Sequence, residues 1–259
     1  LPVTAAGRAL AIADRADLLA GVFALGKRPT GNKDPFGLRR AALGLLRILV
    51  ADGVDLALPA LLARASARQP AAVKDAPALA TELHDFIVER ARAWYLDGLA
   101  PGLPAGAVTP DTSEAVRLRR PTSPVDFHAR LLGVHSFMEL PEAESLAVAN
   151  KRIANILRTA GTGGRDVDPS VFEAPEERAL HAIVEEVTKT HLQHLSRRDY
   201  RQALQGLAAL KSPVDAFFQA VMVMADDVAL RNNRVAQLRR LRELFLDVAD
   251  LSCLSAASN

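Results

Sequence analysis

Apolar positions three and four residues apart run through nearly the whole chain, which predicts a succession of amphipathic helices rather than strands. The first spans about Thr4 to Leu25, with Leu10, Ala13, Leu18, Gly21, Val22 and Leu25 on the stripe expected to face inward. Gly26 stands where a helix C-terminus favours glycine. Lys27 to Gly37 is dense in Pro, Gly and Asn and reads as a loop. Asp34-Pro35 then offers a cap and a first-turn proline to a helix from about Pro35 to Asp52, with Leu38, Ala42, Leu45, Leu46 and Leu49 inward. Gly53 closes it. Two more helices are expected at about Leu58–Arg68 and Ala76–Leu96, the second carrying Leu79, Leu83, Phe86, Ile87 and Trp94 on one side.

Asp97 to Pro110 holds three Pro and three Gly and is expected to be a long loop or linker. A short helix at about Ser113–Arg119 ends at Pro121, and Ser123-Pro124 opens another through about Leu140. Pro141 begins the next, to about Thr159, with Leu146, Ala149, Ile153, Ile156 and Leu157 as its apolar stripe. Gly161–Gly164 reads as a flexible connection. Helices at about Pro175–Leu195, Tyr200–Leu210, Val214–Met224 and Val228–Leu251 complete the set, and the tail after Ser252 is expected to fray. Prolines interrupt the pattern twice near 121–124. The expected division is therefore a helical unit over 1–122 and a bundle of about five helices over 123–259.

Composition supports an all-α fold, because Ala, Leu and Arg dominate while aromatics make up only 5%. A net charge of +2 is too small to mark a nucleic-acid binder, so the placement of charge must decide. The lone Cys253 cannot form a disulfide within the chain, which fits a reducing cytoplasmic setting. No apolar run reaches membrane-spanning length, and the N-terminus lacks the charged and apolar regions of a signal peptide. A chain that opens at Leu1 and runs at once into helix reads as a piece of a longer protein.

Asp14 and Asp17 lie in an otherwise apolar helix. They would suit a metal, or more simply an ion pair with Arg39 and Arg40 of the next helix. The histidines, at 84, 128, 135, 181, 191 and 194, form no HExxH pair, and there is no nucleophile elbow, Walker loop or CxxC. Backbone amides of the 27–37 loop could meet a phosphate, although a plain helix connector explains the loop as well. The strongest charge feature comes late. Between Leu230 and Arg242 stand Arg231, Arg234, Arg239, Arg240 and Arg242, with Asn232 and Asn233 among them and no acid. Leu238, Leu241, Phe245 and Val248 take the inward stripe, so several of these arginines are expected to face out. A second patch is Asn150, Lys151, Arg152, Asn155 and Arg158. Arg and Asn suit RNA, since Arg meets phosphates and stacks on bases and Asn bonds base edges. Taken alone, and on composition, each patch reads first as a solvated helix face.

Three stretches resemble one family. They are Ala11–Leu19 with Gly26–Leu49, which contains Pro29-Thr-Gly-Asn-Lys-Asp-Pro-Phe-Gly37; Leu140–Leu157; and Phe217–Val235 with Leu244–Leu251. All are similar to the β subunit of the bacterial heterotetrameric glycyl-tRNA synthetase. The resemblance implies that the first part is the second half of an HD-like helical domain. Asp14 would then fall at the last metal-ligating aspartate, with the other ligands outside this chain, so no complete metal site and no phosphohydrolase activity are expected. It implies a DALR-type anticodon-binding bundle for the last third, where Asp227-Val-Ala-Leu-Arg231 carries the pattern with one residue inserted.

The function so implied is a non-catalytic, tRNA-holding part of an ATP-dependent glycine–tRNA ligase, binding the anticodon arm of glycine tRNA. Expected partners are the α subunit, in an α2β2 tetramer, and the tRNA, with no DNA and no membrane. No cofactor is expected on this chain, with ATP and Mg2+ at the α subunit. Expected RNA contacts are Asn150, Lys151, Arg152, Asn155, Arg231, Asn232, Arg234 and Arg239. The rival reading is an interaction module that mainly docks the α subunit, its basic faces being incidental. A degenerate HD hydrolase is a third.

Overall fold

The computed structural model describes residues 1–70, 75–160 and 166–254, and these are helical throughout, with no strand beyond a single bridge between Thr30 and Lys33. The Gly161–Gly164 connection and the tail beyond 254 lie outside the described residues. Two compact units form: residues 1–109 with 121–128, and residues 110–120 with 129–259. The expected division at 122/123 is thus replaced by an exchange of short segments, in which the chain passes from one unit to the other more than once.

The first unit contains α1 (Ala5–Ala24), α2 (Leu38–Ala51), α3 (Leu58–Ala67) and α4 (Ala76–Leu96). Thr4 caps α1 by accepting the Gly7 N–H, and Asp75 caps α4 through the Ala78 N–H. The start of α2 departs from the expected Pro35. Asp34 is the cap, but its carboxylate reaches forward to the N–H groups of Leu38 and Arg39 at 2.8 and 3.0 Å, across a left-handed Gly37. The core is Leu19, Ala42, Leu45, Leu49, Leu62, Leu83 and Ile87, all fully enclosed.

The inward stripe expected for α1 is corrected. Leu10 and Leu25 are 72% and 74% exposed; of the expected stripe Val22 is buried, on a side formed with Ile12, Ala16, Leu19, Ala20 and Phe23. Apolar residues surround this helix, so spacing alone does not choose a face. Asp14 is also exposed and pairs with neither Arg39 nor Arg40; Asp17 instead accepts from Gln69, and Arg39 donates to the Gly31 carbonyl. No cluster of three or more His, Cys, Asp or Glu suited to a metal exists among the described residues.

The 27–37 loop is held by its own charges. Arg28 makes a two-toothed pair with Glu82, donates to the Phe23 carbonyl and lies over the Phe23 ring. The Arg28 hydrogen bonds hold the Glu82 carboxyl below its ordinary range. After α4 the chain turns at Gly98, and the Trp94 indole N–H donates to the Leu99 carbonyl at 3.0 Å. The 97–109 stretch is the long loop its Pro and Gly content suggested, and Ala100, Leu103 and Val108 bury themselves in this core, so it is not a free linker.

The second unit contains α5 (Pro110–Arg117), most of α6 (Pro124–Met138), α7 (Ala143–Ala160), α8 (Pro175–Ser196), α9 (Tyr200–Gly206), α10 (Lys211–Ala220) and α11 (Val228–Leu246), with short 3-10 turns at Pro169–Val171, Leu207–Leu210 and Leu251–Cys253. α11 is its axis and packs against both α7 and α8. Leu238, Leu241, Phe245 and Val248 are enclosed, as their spacing predicts. Arg130 of α6 ties the end of α11 by donating to the carbonyls of Asp247 and Val248, and it lies over the Tyr200 ring. No helix is long and apolar enough to cross a membrane among the described residues.

Candidate nucleic-acid interface

The arginine run on α11 is spoken for by acids and carbonyls from elsewhere in the chain. Asp227 caps the helix by accepting the Leu230 N–H at 2.9 Å, and Leu230 is buried. Arg231 donates to the carbonyls of Ala225 and Asp226, tying down the loop that enters the helix. The Asp227–Arg231 motif therefore builds a helix start. Arg240 pairs with Glu243 at 3.7 Å and Arg242 with Asp250 at 3.2 Å. Arg239 is half-buried and is not free either.

Arg234 goes furthest inward. Its Nε donates to Glu177 Oε1 at 2.8 Å and a terminal nitrogen donates to the Met222 carbonyl at 3.0 Å, with the side chain 8% exposed. Glu177 is fully buried at the start of α8, where its other oxygen accepts the N–H groups of Ala174 and Glu173. Burial pushes the Glu177 carboxyl up, but the Arg234 bonds and these amides outweigh it and hold the group below its ordinary range. Gln237 donates to the Glu177 carbonyl, and Asn233 both donates to the Asp168 carbonyl and accepts the Asp168 N–H. The polar residues in the middle of α11 are thus clamps on the segment leading into α8. Asn232 is half-buried beside them.

The α7 patch divides. Asn150 is fully buried, and neither its amide oxygen nor its nitrogen has a hydrogen-bond partner among the described residues. Lys151, Arg152, Asn155 and Arg158 stand on the exposed side. The Arg152 guanidinium lies 4.2 Å from the centre of the Phe218 ring on α10, and Arg158 reaches the Asn155 side-chain oxygen at 3.5 Å. None of the four pairs with a carboxylate among the described residues. Asn155 and Arg158 also line a shallow cleft of about 460 Å³ together with Arg242.

Two expected RNA contacts are accordingly corrected. Asn150 and Arg234 lie inside the bundle, because Asn150 falls on the buried side of α7 with its apolar stripe and because Glu177 draws Arg234 inward. Each side chain is out of a nucleotide's reach. An unpartnered buried amide costs about 1–3 kcal/mol. Asn150→Leu is therefore expected to stabilise the chain by about 1 kcal/mol in urea unfolding and to leave RNA binding unchanged. Phe218, missed in the sequence, carries no signal of its own there. Glu177 had one, since an acid in the third turn position after Pro175 is a helix-start signature.

Comparison with known proteins fits this layout. The family model described as glycyl-tRNA synthetase beta subunit matches residues 1–105, and the DALR anticodon binding domain matches residues 146–251. The glycine–tRNA ligase beta subunit of Ectopseudomonas mendocina (strain ymp) is 46% identical over 255 residues, 98% of this chain. The chain belongs to the glycyl-tRNA synthetase β-subunit family. The Marinobacter nauticus relative of the same name is 44% identical over 259 residues. In both cases the chain spans only 36% of the relative's length. The DALR match begins at Leu146 and so takes in α7 as well as α11, which places the exposed Lys151–Arg158 face inside it.

Proposed function

We propose that the second unit holds the anticodon arm of glycine tRNA, with the outer face of α7 as the contact surface. The observation that carries this is the face itself. Lys151, Arg152, Asn155 and Arg158 are exposed and unpaired with acids, within the stretch matched by an anticodon-binding family. Lysine and arginine would hold phosphates, and Arg152, kept flat on Phe218, offers a guanidinium plane on which an unstacked base can rest. The wider role is support of ATP-dependent glycine attachment, with ATP and Mg2+ at an α subunit, in an α2β2 assembly in the cytoplasm.

Lys151→Ala with Arg152→Ala is expected to weaken tRNA binding about three- to tenfold near 0.1 M salt and to flatten its salt dependence by about 1–2 logarithmic units of slope. Filter binding across several salt concentrations measures both, and an unchanged curve would remove α7 from the interface. Arg234→Ala is unsuitable for this purpose, because it breaks the buried pair with Glu177.

A second reading is favoured by the exposed Val148, Met222, Met224 and Val228, which suit docking to the α subunit. Co-elution with that subunit but not with tRNA would select it.

A further inference from the structure

We infer that the first unit carries a second RNA contact, a guanidinium-lined cleft that takes a phosphodiester of the nucleic-acid backbone. It rests on the reading that this chain holds tRNA. The cleft, about 210 Å³, lies between the first turn of α2 and the last turns of α4, where Arg39, Arg40 and Arg90 line it against one acid, Asp97. Trp94 and the 58%-exposed Leu99 supply its apolar side.

Arg39 already donates to the Gly31 carbonyl, but the other two charges here, unlike those of α11, are unspent. Arg40 is exposed and has no carboxylate partner among the described residues; its guanidinium folds over Gly37, 3.3 Å from where a Cβ would stand. Arg90 has a buried Nε with no acceptor, and its only ion pair among the described residues is a long 3.9 Å approach to the adjacent, mostly exposed Glu89. An anion entering the cleft would give both guanidinium groups the counter-charge they lack. Arginine is suited to this, because its planar fork meets two phosphate oxygens at once.

The geometry favours a backbone phosphate over a free small anion. A free-phosphate site usually adds backbone N–H groups at a helix start. Here the N–H groups of Leu38 and Arg39 are already taken by the Asp34 carboxylate. What is left is a shallow, open pair of guanidinium groups beside an exposed apolar side chain. That arrangement fits one charge of a polyanion, with a sugar or base resting on Leu99.

The test uses the full 259-residue chain, glycine tRNA and a salt titration. Arg40→Gln with Arg90→Gln is expected to lower tRNA affinity about three- to tenfold near 0.1 M salt and to reduce the salt slope by about 1. Arg40→Gln alone, at an exposed position, should give a smaller loss in the same direction, and it keeps the test valid if the double variant is unstable. Arg47→Gln, an equal charge change on α2 outside the cleft, should change nothing. Equal losses in Arg47→Gln and Arg40→Gln would overturn the site, as would no loss in either. So would saturable binding of inorganic phosphate that Arg40→Gln abolishes while tRNA binding is untouched. If the unaltered chain fails to bind tRNA at all, the parent reading falls and this one with it; if binding fails only on changing Lys151 and Arg152, this site alone is refuted.

Discussion

Glu177→Ala is expected to destabilise the second unit by about 3–5 kcal/mol, because it leaves the Arg234 guanidinium buried without its counter-charge. The cost reaches beyond one ion pair. Glu177 also accepts the N–H groups of Ala174 and Glu173, which begin α8, and Arg234 holds the Met222 carbonyl at the end of the 221–227 connection. Urea unfolding measures the loss. Replacing both residues with methionine should recover most of it, since an apolar pair of similar volume needs no partner. The effect also depends on pH in a defined direction. A carboxyl held below its ordinary value of about 4.5 in the folded state contributes stability at neutral pH, and that contribution fades as pH falls from about 4.5 through the folded value. The gap between the unaltered chain and Glu177→Gln should therefore be full at pH 7 and close on acidification. A gap that widened toward acid would contradict the assignment.

Gly98→Ala is expected to cost the first unit about 3 kcal/mol, combining left-handed strain with overpacking. Gly98 has φ +65°, and an added Cβ would stand 2.4 Å from the Ala105 Cα and 2.5 Å from its nitrogen. Both are backbone atoms, so no flexible side chain can yield. The turn sets the carbonyl of Leu99 against Trp94, the only tryptophan in the chain, whose emission should shift to longer wavelength as the site loosens. Gly106→Ala is the control. It has φ +83° with open space around it, and should cost only about 1 kcal/mol.

Helices were legible where apolar residues occupy one stripe only. Leu238, Leu241, Phe245 and Val248 show this on α11, and Leu79, Leu83 and Ile87 on α4. α1 was misread because Leu10 and Leu18 on one side rival Leu19 and Phe23 on the other. The candidate site was harder to see. An arginine run free of acids within it looked outward-facing, yet Glu177, 57 residues away, draws Arg234 inward, and Glu243 and Asp250, just beyond the run, pair with Arg240 and Arg242. Sequence spacing locates a charge on a helix, but its burial depends on partners tens of residues away. The Lys151–Arg158 face stays exposed, with no such partner reaching it among the described residues.

The exchange of segments between the two units sets an order on their assembly during synthesis. Tyr95 is buried in the first unit with Phe127 and His128 beside it, so that core stays incomplete until the ribosome has released the opening turn of α6. α5 waits longer still, since the carbonyl of Ala115 receives its hydrogen bond from the N–H of Asp250, made 135 residues later. A chain stopped before Asp250 would therefore unsettle a helix translated well over a hundred codons earlier.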